Sequence, residues 1–360
     1  MAHNAKKNVL IIGYDSNIGL GVLFCLRTLG YDFYLLTHNH KNAARYSRFI
    51  KKSFLYHAEN DNLTEKIIEL TKQYQIDLIM PYDELETREV TKNKEVLGKY
   101  APCLLGTDPA FFDTGIHKLK LAEFLTDKGI SCPAFATYDN KEKLEKLIDL
   151  AGFPLLLKPV RQSAGRNIQK IQDRESLQAF FAERPDEQNG FILQPFIIGS
   201  DVTCNVICRN GEIICYTIQE SPVKTGSNFS TNDTLEYHDD QDVISVVRNM
   251  MKELHWNGVA CVDMRRDAQT KKVYVLEING RFWASVVPSF LKAGVNFPLI
   301  LSQLSLGNQV EIPKMRPARQ VSFKEYLNSL FTGGKLKFSD TKYESYLYDP
   351  IARFIQVFIK

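Results

Sequence analysis

The apolar positions of this chain first run in blocks. Residues 8–13, NVLIIG, are an unbroken hydrophobic run ending in glycine, as expected of a strand buried on both faces. The stretch SNIGLGVLFCLRTLG then repeats apolar residues at helical spacing, and YDFYLLT is a second buried strand. Two more units follow, LTEKIIELTKQYQ into IDLIMPYD and ETREVTKNKEVLGKY into APCLLGTD. The pattern predicts a parallel sheet with crossover helices to about residue 112.

From about residue 116 the pattern changes. IHKLKLAEFLTDKG and KEKLEKLIDLAG read as helices stopped by glycine, and FPLLLKP as a strand. VRQSAGRNIQKI reads as strand, small-residue loop and strand; the helix ESLQAFFAE then precedes FILQPFIIG. DVTCNVICRNGEIICYTIQE is β-rich and contains the hairpin signal Arg209-Asn210-Gly211. Residues 221–242 are polar and aperiodic, which suits a long functional loop. The helix DVISVVRNMMKELHW leads into the hairpin GVACVDMRRDAQTKKVYVLEINGRF, and the tail after Pro313 is weakly patterned.

Composition narrows the partners. The 360 residues are 44% hydrophobic, enough for cores in two or three domains. Lys and Arg outnumber Asp and Glu by 45 to 42, too small an excess to argue for nucleic acid or an anionic membrane. The seven cysteines are scattered without a C-x-x-C pair, so reduced thiols in a cytosol are expected. The five-residue apolar run near the start is too short for a signal-peptide core, and no stretch has membrane-spanning length. These features predict a soluble cytoplasmic protein. After the first strand the dinucleotide fingerprint fails, because Asp15 and Ile18 stand two and five positions beyond Gly13. The glycines there are expected to let the loop approach a ligand, such as a substrate.

The chemistry concentrates in VYVLEINGRF, residues 273–282. With a period of two, Val273, Val275, Glu277, Asn279 and Arg281 share one face. In the hairpin Asp263 falls opposite or diagonal to Glu277, so two carboxylates and an amide converge. Two readings are open: a solvated outer face, or hard oxygen ligands for Mg²⁺ completed by phosphate and water. Lys158 ends a hydrophobic strand and Lys118 begins an amphipathic helix; each is either a surface lysine or an anion's partner. The loop Ser163-Ala164-Gly165 could close backbone amides over phosphates. Gln194, Phe196 and Ile197 lie in an apolar segment suited to a base, with Asp201 beyond it for ribose hydroxyls.

In order and content these parts resemble the ATP-grasp superfamily, in its carbamoyl-phosphate-synthetase-like and amino-acid-ligase-like branches. HKLKLAEFLTDKGISCP, AGFPLLLKP, ILQPFIIGSD and VDM…VYVLEINGRFWAS…AGVNFP carry the resemblance, over about residues 8–312. It implies an N-terminal Rossmann-like parallel α/β domain (1–112), a small α+β lid (113–197), a C-terminal α+β domain with an antiparallel sheet (198–312), and an extension (313–360). It also implies ATP and Mg²⁺ (or Mn²⁺) as cofactors. Lys118 and Lys158 would hold phosphates, Gln194, Phe196 and Ile197 adenine, and Asp201 ribose. Asp263, Glu277 and Asn279 would hold metal, and Arg281 would steady the acyl-phosphate. The implied activity joins a carboxylate and an amine with release of ADP and phosphate. The alternatives are a phosphorylating or carboxylating enzyme like carbamoyl-phosphate synthetase or biotin carboxylase, or a non-catalytic ATP-binding protein. Homodimerisation is common in the superfamily. The sequence departs from the pattern with Gln194 for the usual acid, Asn167 in a glycine-poor flap, and Asn-Gly-Arg for Asn-Pro-Arg. Candidate substrate contacts are the Tyr14–Gly19 loop, Tyr82-Asp83-Glu84 and Lys224–Thr231.

Overall fold

Strands buried on both faces need a layer on each side, and the first sheet is built from them. The computed structural model describes residues 6–161, 167–221 and 234–358. Strands β1 (Asn8–Ile12), β2 (Asp32–Thr37), β3 (Ile50–Leu55) and β4 (Leu78–Pro81) form a parallel sheet in the order β3-β2-β1-β4. β1, β2 and β4 are buried almost throughout. β3, absent from the apolar pattern, is an edge strand whose Lys51 and Lys52 face water.

The expected strand APCLLGTD is reduced to one bridge, Ile79 to Cys103. Its backbone is diverted toward the C-terminal part of the chain. Leu105 N donates to Ser305 Oγ at 3.0 Å, and Thr107 Oγ1 donates to Asn257 O at 2.8 Å. The glycines after β1 also have a different reason from the one expected. A Cβ on Gly13 would stand 2.5 Å from the Tyr82 ring, and one on Gly19 would stand 3.0 Å from it. They admit a buried tyrosine, and the helix Ser16–Leu26 starts on the Asp15 carboxylate, which accepts from Asn17 N and Ile18 N.

A second, antiparallel sheet, β6-β5-β7, comprises β5 (Leu155–Pro159), β6 (Gln169–Ile171) and β7 (Phe191–Pro195). It packs Leu155, Leu157, Leu177, Phe181 and Leu193 into a small core of its own.

The third sheet is antiparallel, in the order β12-β11-β8-β9-β10-β13. It contains β8 (Gly199–Arg209), β9 (Glu212–Glu220), β10 (Leu235–Tyr237), β11 (Gly258–Asp267), β12 (Val273–Asn279) and β13 (Ala318–Gln320). The expected hairpin turn joins β8 to β9, with Asn210 and Gly211 both at positive φ. One face of this sheet packs on the helix Gln241–Glu253 and on Trp256. On the other face Ile207, Cys215, Val259 and Cys261 join the core built on the helix Ser16–Leu26.

The tail has more order than its sequence pattern suggests. β13 pairs with β10, and the helix Pro350–Phe358 returns to the first layer, where Arg353 donates to Asn17 Oδ1 at 3.1 Å. All seven cysteines are free thiols, five buried and Cys103 and Cys132 partly so. No helix among the described residues is long and apolar enough to cross a membrane.

Candidate active site

The row in β12 is set by a bulge. Asp263 pairs with Glu277, but the next residue, Met264, pairs with Val275, so Leu276 is an extra residue between them. Val273 and Val275 therefore join Val262, Met264 and Ile278 in the core under the helix Gln241–Glu253. Unbroken alternation had placed both valines beside Glu277, which the bulge overturns. Glu277 and Asn279 share the opposite face with Asp263 and Cys261.

That face continues across the sheet as a polar stripe. Thr203 stands across from Asp263, Asn205 from Cys261, and Asp201 from Arg265. On β9, Gln219 stands across from Thr203 and Thr217 from Asn205. Thr203, Asn205, Thr217 and Gln219 escaped the sequence reading, although polar residues at every second position of two β-rich runs are a readable signal.

Hydrogen bonds tie the stripe together. Thr203 Oγ1 donates to Asp263 Oδ1 at 3.0 Å, and Asn279 Nδ2 donates to Asp263 Oδ2 at 3.1 Å. Arg281 Nη2 lies 3.5 Å from Asn279 Oδ1, and its Nη1 donates to Phe282 O at 2.7 Å. The Lys118 ammonium is 2.6 Å from Glu277 Oε2. It is placed by the first turn of the helix Lys118–Asp127, anchored where Lys118 N donates to Val160 O at 3.0 Å. Lys158, on β5, donates from Nζ to Gln194 Oε1 on β7 at 3.0 Å. In place of the acid that the resemblance implies, the Gln194 amide oxygen still receives a lysine.

The segment expected to hold a base is braced on the same sheet. Arg265 donates from Nε to Ile197 O at 3.0 Å and meets Asp201 Oδ1 at 2.5 Å. Phe196 lies 4.3 Å from the Lys170 ammonium. Ser163, Ala164, Gly165 and Lys224–Thr231 lie outside the described residues.

The candidate substrate segment after β4 divides by residue. Tyr82 is wholly buried, and Asp83 accepts from Tyr14 N and Asp15 N at 2.8 Å each. Burial raises the Glu84 carboxyl while Arg281 and Lys118 oppose it, so this acid belongs to the site's charge cluster.

The electrostatics favour a bound cation. Burial, and then the charge of Glu277, raise the Asp263 carboxyl above its ordinary range. Burial pushes Glu277 up most strongly, but Lys118, helped by Asp263 and Lys158, holds that carboxyl low. Burial pushes the Lys158 ammonium down to about 8 against the pull of Glu277. Among the described residues no three His, Cys, Asp or Glu cluster as a complete metal cage. Two carboxylates and an amide are hard oxygen donors too few to enclose an ion, which fits Mg²⁺ finished by phosphate and water.

Residues 116–285 match the family model described as an ATP-grasp domain. The C-terminal section of the carbamoyl phosphate synthase large chain of Aquifex aeolicus is 22% identical over 219 residues, covering 58% of this chain and 40% of that protein. The D-alanine–D-alanine ligase of Polaromonas naphthalenivorans is 26% identical over 203 residues, covering 51% and 62%. The chain thus spans less than two thirds of either relative. Among solved structures, the biotin carboxylase domain of Hydrogenobacter thermophilus 2-oxoglutarate carboxylase superposes with a TM-score of 0.68 at 15% identity, over 88% of this chain and 73% of that one. An L-amino acid ligase from Bacillus licheniformis gives 0.66 at 18%, over 87% and 78%. Residues 116–285 are an ATP-grasp domain, and the fold that contains them is the ATP-grasp fold.

Proposed function

We propose that this chain is an ADP-forming carboxylate–amine ligase of the cytoplasm, working through an acyl-phosphate. The observation that supports the reading is the cluster of Asp263, Glu277 and Asn279 on adjacent strands, with Lys118 against Glu277 and Lys158 buried nearby.

In this reading residues 1–112 and the C-terminal sheet (198–312) flank the substrates, residues 113–197 form the lid, and 313–360 are an extension. Lys118 and Lys158 bind the nucleotide phosphates, with Ser163, Ala164 and Gly165 closing over them. Gln194, Phe196 and Ile197 hold adenine, and Asp201 holds ribose. Asp263, Glu277 and Asn279 hold Mg²⁺ (or Mn²⁺), which supplies positive charge against the terminal phosphates. A carboxylate oxygen of the substrate attacks the γ-phosphorus as the bond to ADP breaks. Arg281 and Lys158 stabilise the charge on the transferring group. The amine nitrogen then attacks the acyl carbon, phosphate departs with the bonding electrons, and the nitrogen loses its proton to give the amide.

The names of two of the similar proteins, a D-alanine–D-alanine ligase and an L-amino acid ligase, put amino acids first among the carboxylates and amines to try. The test is phosphate release from ATP and Mg²⁺ with panels of amino acids, small carboxylic acids and bicarbonate. Hydroxylamine should trap an acyl hydroxamate, and EDTA should abolish turnover. Release stimulated by bicarbonate alone would move the reading to a carboxylating enzyme. Release that survives Glu277→Ala, or that no carboxylate stimulates, would sink it.

A further inference from the structure

A surface helix ordinarily turns its apolar stripe to the core and its polar side to water. Two helices in the tail also turn large apolar side chains outward. In Pro350–Phe358, the residues Ile351, Phe354, Val357 and Phe358 recur at helical spacing on one side and are 50% to 69% exposed. The opposite side carries Ala352 and Arg353, both buried. Arg353 reaches Asn17 Oδ1, donates to Gln356 Oε1 at 2.8 Å and lies 4.5 Å over the Tyr346 ring. The helix is therefore fastened by Arg353 together with Ala352 and the partly buried Ile355, which pack on the core.

The helix Phe323–Phe331 also carries an exposed apolar face. Phe323, Leu327, Leu330 and Phe331 share a face and are exposed, Phe331 by 88%. The buried side has Ser329 and the partly buried Glu325, whose carboxylate accepts from Thr234 Oγ1 at 3.2 Å and from Arg319 Nη2 at 2.7 Å. Eight large apolar side chains thus point outward from two helices.

Charge selects what covers them. Residues 313–360 hold nine Lys or Arg against four Asp or Glu, a local excess of five that the near-neutral total conceals. Lys324, Lys335 and Lys337 are exposed on and just after the first helix. Two copies of so basic a segment repel when brought face to face, whereas an anionic lipid surface complements it. Aromatic and aliphatic side chains can enter the acyl boundary of such a surface while lysines stay among the headgroups.

We propose that the C-terminal tail is an interfacial anchor that seats this protein on an anionic lipid bilayer without crossing it. The proposal stands apart from the ligase reading. Its test is co-sedimentation of the full chain with phosphatidylcholine vesicles, with and without phosphatidylglycerol. Binding should be at least about tenfold tighter to the anionic vesicles and should weaken with salt. Phe354→Glu with Phe358→Glu should lower it by about tenfold or more, since charges replace buried apolar contacts. Lys335→Glu with Lys337→Glu leaves the apolar stripes intact and should weaken only the anionic preference. Thermal melts of both variants should match the parent, because the substituted side chains point to water. Absence of vesicle binding, equal binding to neutral vesicles, or binding indifferent to both variants would overturn the anchor. So would sedimentation velocity showing a dimer that Phe354→Glu dissociates, which would give the face to a second copy.

Discussion

The two faces of the six-stranded sheet are made from alternate residues of the same strands, yet they do opposite work. The face under the helix Gln241–Glu253 is apolar along its centre, where Val202, Cys204, Val206, Val262, Met264, Val275 and Ile278 are all under 5% exposed; Ser200 and Arg266 stand only at its end. The other face interrupts its own core with Asp201, Thr203, Asn205, Asp263, Glu277 and Asn279. The comparison teaches that the fold draws its stability from one side and gives some up on the other. Like-charged carboxylates and buried lysines are costly without ligands, and those costs favour ligand binding.

The contrast can be broken most strongly from the apolar face. Trp256 stacks on Phe112 and donates from Nε1 to Val259 O at 3.1 Å. Trp256→Ala should destabilise the fold by about 4–5 kcal/mol while activity per folded molecule is retained, as chemical denaturation and an assay in stabilising osmolyte would show. On the polar face Glu277→Ala should do the converse. Phosphate release should fall about a thousandfold, roughly 4 kcal/mol of barrier, with a much smaller change in denaturation midpoint.

Lys158 sharpens the comparison because its stability effect has the opposite sign. Its ammonium titrates near 8 in the fold against 10.5 ordinarily, so the folded state is penalised below about pH 8 and relieved as pH rises toward 10.5. Lys158→Met should therefore stabilise the protein by about 2–3 kcal/mol at pH 7, an advantage that fades in urea titrations by about pH 10.5. The same variant should bind ATP poorly, and parent affinity should decline as pH passes about 8, which a fluorescent nucleotide would report. Smallest is the deletion of Leu276. It restores regular alternation without changing which face Glu277 occupies, so stability should move by about 1–2 kcal/mol while turnover drops about tenfold as the carboxylate loses its aim.

The sequence was most readable where one period held along a whole element. β1, β2 and β4 are unbroken apolar runs, and the Asn210-Gly211 turn has local chemistry that forces its shape. Reading failed where a single residue changed the period or where distant partners decided. The bulge at Leu276 reversed the facing of Val273 and Val275, although Glu277 and Asn279 were still grouped with Asp263. β3 carries two lysines because it is an edge, so it offered no apolar run. APCLLGTD looked like a strand, but Ser305 and Asn257 claim its backbone and side-chain bonds from 150 to 200 residues away. The tail's helical spacing was there to be read in Ile351, Phe354 and Phe358, but which side of each helix faces water is decided by distant partners such as Asn17 and Thr234.

The seven free thiols have a practical consequence. Burial raises Cys25, Cys204, Cys208 and Cys261 far above the ordinary thiol range, and takes Cys103 and Cys215 to about 12. Only the thiolate reacts with alkylating reagents, so at neutral pH the native protein should label slowly at every position. The sulfurs lie in three separate cores, so opening of each core exposes its own set. Counting modified cysteines by mass then gives an internal clock for unfolding, and a cysteine introduced on the surface can carry a probe without removing the native ones.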